Sequence, residues 1–208
     1  MKPASGQSIR LVIYGAGGHG RVVADAAHAA GLHILGFVDD APDSPLPLRW
    51  PMLENDPHQL SEAHWIVGIG DNRTREQIGR RLSAEARPLA SVIHPRAIVS
   101  ASAKLGQGVF IGPGAVVHSD AVLGDGAIVN SGAIVEHDCR LESYCHIAPG
   151  AVLGGGVTVG AGALVGLNAS VLPCVSIGQY SIIGAGSVVT RVIPANRTAV
   201  GAPASIRT

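Results

Sequence analysis

At 208 residues the chain can hold one large or two small domains, and a formal net charge of zero, with the 9 His counted neutral, leaves no basic field to attract nucleic acid or an acidic membrane. Apolar residues make up 47% and aromatic residues only 3%, while 28 Gly are present, which suits a narrow aliphatic interior with many tight corners. The 3 Cys lack metal-like spacing, so neither a metal site nor a disulfide frame is expected, and the polar start together with the absence of a long apolar run predicts a cytoplasmic protein without membrane insertion.

After the polar segment 1–8, residues 9–14 (IRLVIY) have the run of a buried parallel strand. They are followed at once by Gly15-Ala16-Gly17-Gly18-His19-Gly20 and a helical stretch through Ala30. Gly15, Gly17 and Gly20 satisfy G-x-G-x-x-G between strand and helix, where a tight turn lets backbone N–H groups and a helix N-terminus approach a phosphate. A second strand over 33–38 ends in Asp39-Asp40, the place where such folds set an acid against a ribose. A Pro-rich loop is expected over 41–51, a third strand over 65–70 ending in Gly70-Asp71-Asn72, a helix over 74–86 and a short strand from Pro88 to Ile93. These elements make half of a dinucleotide fold, so one nucleotide is a better expectation than NAD, with a nucleotide-sugar diphosphate on the Gly17 to Gly20 turn and Asp39, Asp40 and Gly70 lining the crevice.

From Ile93 the periodicity changes. Every sixth residue as far as Val189 is Ile, Val or Leu, and four positions after each comes a mostly small residue such as Ala97, Ala103, Cys139 or Cys145. A period of six fits neither a helix nor a flat strand, so each hexad is one short strand plus one corner of a coiled ribbon. Three hexads close one coil of 18 residues, which predicts a parallel β-helix of nearly six coils, about 30 Å tall at the usual strand spacing. The predicted division is therefore an α/β Rossmann-like half domain over 1–92 and an all-β parallel β-helix with a C-terminal cap over 93–208.

Most outward slots of the coils carry Gly, Ala, Ser or Pro, but residues 135–146 bring Glu136, His137, Asp138, Arg140, Glu142, Tyr144 and His146 together. A neutral imidazole beside a carboxylate is suited to be a general base, because the carboxylate fixes its tautomer and stabilises the imidazolium. His137 and Asp138 are the candidates for that role. His146 lies nine residues further on, half a coil, and so on the far side of the same prism. The two can share a substrate only if subunits pack side by side, which predicts a homotrimer with sites between subunits. Cys145 adjoins His146, but its inward slot argues against an acyl-enzyme. Bare glycines on the coils after residue 150 suit a long thin ligand running along the backbone, although each also fits an ordinary corner.

The hexads resemble those of the left-handed β-helix hexapeptide-repeat acyltransferases, and the handedness is taken from that resemblance. The whole chain, from Tyr14-Gly15-Ala16-Gly17-Gly18-His19-Gly20 through Glu136-His137-Asp138 to Gly201-Ala202-Pro203-Ala204, resembles the subgroup of bacillosamine and perosamine N-acetyltransferases and sialic acid O-acetyltransferases. That resemblance implies a trimer, acetyl-CoA as donor, and a nucleotide sugar held by the N-terminal domain. It implies His137 as general base and Asp138 as the residue that raises its basicity, where many relatives have Glu. It places His146 against the acetyl thioester, Gly166 and Gly184 along the pantetheine arm, and Gly17, Gly18, His19, Asp39, Asp40 and Gly70 on the nucleotide. The function implied is acetyl transfer to the amine of a UDP- or GDP-linked 4-amino-4,6-dideoxyhexose for surface glycan synthesis. Alternatives are O-acetylation of a sialic acid or similar sugar and, in another class, a non-catalytic nucleotide-binding solenoid; an NAD-dependent reductase is disfavoured by the missing second half of the fold.

Overall fold

A computed structural model describes residues 9–40, 49–56 and 60–207. The polar start and most of the Pro-rich loop expected over 41–51 lie outside the described residues. Strand β1 (Arg10–Tyr14) is the centre of a three-stranded parallel sheet, flanked by β2 (His33–Val38) and β3 (His64–Val67). Helix α1 (Gly18–Ala29) follows β1 and helix α2 (Asn72–Ala84) follows β3. The apolar run of β1 is explained by burial on both faces, with Leu11, Val12 and Ile13 all inaccessible to solvent. α2 starts two residues earlier than the sequence suggests because Asp71 caps it, its carboxylate accepting from the Thr74 N–H at 2.9 Å.

The β-helix begins at Val92–Ile93 and consists of two-residue strands at every sixth position as far as Val188–Val189, arranged in three parallel sheets. Ile128 pairs with His146 and His146 with Leu164, so the coil is 18 residues long, as the hexad count requires. The inward residues Val135, Cys139, Leu141, Cys145, Ile147 and Ala151 are fully or almost fully buried, large and small alternating to fill a thin prism. The end of the prism is closed by Thr198–Val200 and Ser205–Ile206, which extend one of the three sheets. Among the described residues no helix is long and apolar enough to cross a membrane.

One sheet carries the N-terminal unit on its outer face. Val92, Phe110 and Ile128 occupy outward slots of that sheet yet are buried, because α1 covers them with Val23, Ala24 and Ala27. α2 lies along the neighbouring edge of the prism. There the Tyr144 ring packs so closely on Gly79 that a Cβ at this glycine would stand 2.6 Å from the phenol oxygen. The Tyr180 hydroxyl, two coils further along the same edge, donates to Glu76 at 3.0 Å.

Candidate active site

The crevice at the C-terminal ends of β1, β2 and β3 is built from three loops. In the first, the glycines divide by what they do. Gly15 has φ 107° and Gly20 would place a Cβ 1.9 Å from the Gly15 carbonyl oxygen, so both are required by the turn and by close strand–helix packing. A Cβ on Gly17 or Gly18 would meet nothing within 4 Å, and neither has positive φ. Their bareness leaves open space over the first turn of α1, which has no side-chain cap and therefore presents unpaired N–H groups to an anion.

The second loop contributes Asp39, whose carboxylate accepts from the Ala16 N–H at 2.7 Å and so stiffens the glycine turn. Asp40 accepts from the Tyr14 hydroxyl and faces Arg81 at 3.7 Å. The third loop, after β3, carries Gly70, whose carbonyl accepts from the Arg75 guanidinium at 3.1 Å. His19 stands where crevice and β-helix meet, its ring edge-on to Phe110 at 5.2 Å and 6.2 Å from the His146 ring. Its Nε2 is buried without a hydrogen-bond partner among the described residues, and burial, followed by the charge of Arg75, lowers its pKa to about 4.

The coil carrying His146 is where the cover given by α1 stops. A cleft of about 450 Å³ opens there between the start of α2 and the β-helix, lined among others by Gly70, Arg73, His146, Gly166, Leu167 and Tyr180. His146 Nε2 lies 3.1 Å from the Asn130 amide nitrogen, which makes Nε2 the acceptor in the pair. Burial, with smaller contributions from Arg75 and His19, pushes the His146 pKa down to about 3, so the ring is neutral at physiological pH. Gly166 lines this cleft, but its N–H donates to Ile183 in the next coil at 2.9 Å, and the Gly184 N–H likewise donates to Ala199 at 2.8 Å. Both amides are used by the β-ladder and both carbonyls accept at the corners, from the Ala169 N–H at 3.1 Å and the Ser187 N–H at 3.3 Å. A Cβ on Gly166 would stand 2.5 Å from the Ile183 carbonyl oxygen and one on Gly184 2.6 Å from the Val200 side chain, so the close stacking of the chain accounts for both glycines.

His137 occupies another corner of the prism and is not among the residues lining that cleft. Its Nδ1 is 2.7 Å from the Asp138 carboxylate, and that hydrogen bond raises its pKa above the ordinary value. Asp138 is in the left-handed region, with φ 61°, which turns its carboxylate back toward the ring. The Cε1–Nε2 edge of the imidazole rests on Gly155, one coil further on: a Cβ there would lie 2.6 Å from both atoms. His118 Nε2 stands 3.7 Å from Glu136 beside this pair.

The twelve-residue cluster is thus dispersed. His137 and Asp138 share one corner, Tyr144 serves the contact with α2, Glu142 accepts from the Ala161 N–H at 2.9 Å, and His146 faces the cleft. Cys145 is buried, and its thiol is pushed up to about 12 by desolvation, which removes it as a nucleophile. Sequence reading missed Asn130 and Arg75, and it placed Gly155 only among the bare outward glycines, not against His137. The signal for Asn130 lay in residues one coil apart: in the column His94, Gly112, Asn130, Ala148, Gly166 and Gly184, Asn130 is the one long side chain after the first coil. His146 stands out in the same manner among Val92, Phe110, Ile128, Leu164 and Ile182.

Two sequence families match the chain: the PglD N-terminal domain over residues 10–82, and the bacterial transferase hexapeptide (six repeats) over 102–137, 120–155 and 156–191. The curated UDP-N-acetylbacillosamine N-acetyltransferase of Bacillus subtilis is 38% identical over 108 residues, 49% of this chain, so the match spans about half (50%) of that relative's length. Among solved structures, a histidine-to-asparagine mutant of perosamine N-acetyltransferase from Caulobacter crescentus, in complex with CoA and GDP-perosamine, is 40% identical with a TM-score of 0.92, covering 99% of this chain and 100% of that one. The acetyltransferase domain of PglB from Neisseria gonorrhoeae, in complex with acetyl coenzyme A, is 36% identical with a TM-score of 0.90, covering 97% and 100%. The glycine crevice, the 18-residue coil and these full-length likenesses together place the chain in the left-handed β-helix, hexapeptide-repeat family of sugar acetyltransferases that carry a PglD-type N-terminal domain.

Proposed function

We propose that this chain transfers the acetyl group of acetyl-CoA to the amine of a nucleotide-linked 4-amino-4,6-dideoxy sugar, with His137 as general base. The observation that carries the reading is the continuity of the nucleotide crevice with the His146 cleft, seen in the 6.2 Å approach of His19 to His146. A diphosphate seated over Gly17 and Gly18 at the start of α1 directs its sugar along that path, while the mainly aliphatic cleft suits a pantetheine arm.

In the transfer, the sugar amine attacks the thioester carbonyl while His137 Nε2 takes the amine proton, and Asp138 on Nδ1 stabilises the resulting imidazolium. The tetrahedral adduct collapses, the C–S bond breaks, and the imidazolium returns the proton to the departing thiolate. His146, held neutral, contacts the thioester without competing for that proton.

His137 must be supplied to the cleft by a second protomer. The sheet that ends at its corner presents an outward row, Ile98, Val116, Ile134, Val152, Ser170 and Val188, apolar except for Ser170 and with Ile98 68% exposed, a face that a trimer of prisms would cover. The cytoplasmic setting follows from the donor, which is a metabolite of that compartment. Thiol release from acetyl-CoA, assayed with UDP- and GDP-linked 4-amino-4,6-dideoxy sugars and with free sialic acid, tests the substrate. Activity with sialic acid alone would replace N-acetylation by O-acetylation, and a fully active monomer in sedimentation would remove the shared site.

A further inference from the structure

Arg75 on α2 is 1% exposed, and its six hydrogen-bond acceptors lie in both halves of the molecule. Toward the crevice it donates to the carbonyls of Ile69 at 3.2 Å and Gly70 at 3.1 Å. Toward the β-helix it donates to the carbonyls of Gly126 at 2.9 Å, Tyr144 at 2.7 Å and Cys145 at 3.3 Å. Its sixth partner, the Asn72 side-chain oxygen at 2.7 Å, belongs to a residue whose own amide donates to Gly162 and Ala163 at 3.0 and 3.1 Å.

Gly126, Tyr144 and Gly162 are the same left-handed corner on three successive coils. The first turn of α2 therefore pins three steps of one prism edge, and Tyr180, the fourth step, is bonded to Glu76. A guanidinium buried among carbonyls, with no carboxylate among those six acceptors, is a costly way to gain stability alone, since an apolar side chain packs such a site more cheaply. What the fork provides is fixed geometry between groups on two separate units.

We propose that Arg75 is a positioning residue that locks the nucleotide crevice in register with the coil bearing His146. The inference rests on the reading of crevice and cleft as one site. The loop it holds, Ile69 to Gly70, is the third wall of the crevice, and the carbonyls it holds at Tyr144 and Cys145 immediately precede His146. Its charge, after burial, also contributes to keeping His19 and His146 neutral.

The experiment compares the wild-type enzyme with Arg75→Lys and Arg75→Ala. Lys keeps the charge but has no fork, so Arg75→Lys should stay folded while KM for whichever UDP- or GDP-linked amino sugar the wild type accepts rises about tenfold and KM for acetyl-CoA moves by less than about twofold. Amide exchange over 69–75 and 144–147 should accelerate in the same variant without any ligand present. Free guanidinium at millimolar concentration should partly restore the sugar KM of Arg75→Ala, and sodium should not. Unchanged sugar KM and unchanged exchange in Arg75→Lys, or a lowered melting temperature with both KM values intact, would overturn the proposal. Should the wild type turn over none of the amino sugars, the functional reading fails, and the exchange measurement still decides whether Arg75 joins the two units.

Discussion

The contact between His137 and Gly155 allows the candidate base to be displaced without touching it. In Gly155→Ala the new Cβ would stand 2.6 Å from His137 Cε1 and Nε2. Ordinary carbon contacts begin near 3.5 Å, so the reactive edge of the ring must retreat by about 0.9 Å. If the ring moves as a body away from its partner, the 2.7 Å bond to Asp138 opens to about 3.6 Å, beyond hydrogen-bonding range. A misplacement of about 1 Å costs roughly 100-fold in rate, or about 2.7 kcal/mol of transition-state stabilisation. Stability should move little or in the opposite direction. Gly155 does not have positive φ and the imidazole is 61% exposed, so the ring can swing outward, and Gly→Ala restricts the unfolded chain by about 0.4–1 kcal/mol. Steady-state kinetics, with a melting curve and sedimentation to verify fold and assembly, make the test. A folded, correctly assembled Gly155→Ala enzyme with wild-type turnover would show that the ring position seen here is not the one that reacts.

Other outcomes follow from the same geometry. His137→Ala should lower turnover by about 100-fold or more. Asp138→Asn keeps a residue tolerant of φ 61° but removes the bond that raises the His137 pKa, so the acidic limb of kcat/KM, which climbs as the base deprotonates, should shift to lower pH while the plateau falls at least about tenfold. Cys145→Ala should retain turnover within about twofold, with no acetyl adduct found by mass spectrometry, because a thiol pushed up to about 12 supplies no nucleophile. His146 is lowered from 6.5 to about 3, so the unfolded chain takes up its proton first: stability is full above pH 6.5 and declines as pH falls toward the folded value. Between pH 7.5 and 5 this one group should contribute about 2 kcal/mol of loss, and His146→Gln should remove that share from the pH dependence of chemical denaturation.

The hexads were legible because solenoid packing repeats: each inward slot meets the same neighbours every six residues, so one period specifies sheet, register and coil together. The glycine turn was legible because few backbones need Gly15 and Gly20 at that spacing. Docking of the N-terminal unit was not, since it is made once, by surfaces without a period. Its traces were present as apolar Phe110 and Ile128 in outward slots and as the sequence Asp71-Asn72 ahead of Arg75. The charged residues of 135–146 are close in sequence but dispersed in space, as the half-coil spacing of His137 and His146 requires. In a β-helix a residue's close neighbours lie 18 positions away, so His137 is in contact with Gly155, while His146, nine positions on, belongs to another face.

The corners carry the same lesson one step further. At every sixth residue from Gly108 to Gly186 the backbone enters the left-handed region, where glycine costs nothing and other residues lose about 1–2 kcal/mol. Asp120, Asp138, Tyr144, Asn168, Cys174 and Tyr180 are the exceptions in that series. Asp and Asn ease the strain with local hydrogen bonds, but tyrosine has no such relief, and both tyrosines lie on the edge that receives α2. At the two tyrosines the strain is offset by the packing of the Tyr144 ring on Gly79 and by the Tyr180–Glu76 hydrogen bond. Tyr144 and Tyr180 seat the N-terminal unit and Asp138 is bonded to the candidate base His137, so three of these six corners stand where the bare solenoid meets α2 or holds the proposed catalytic histidine.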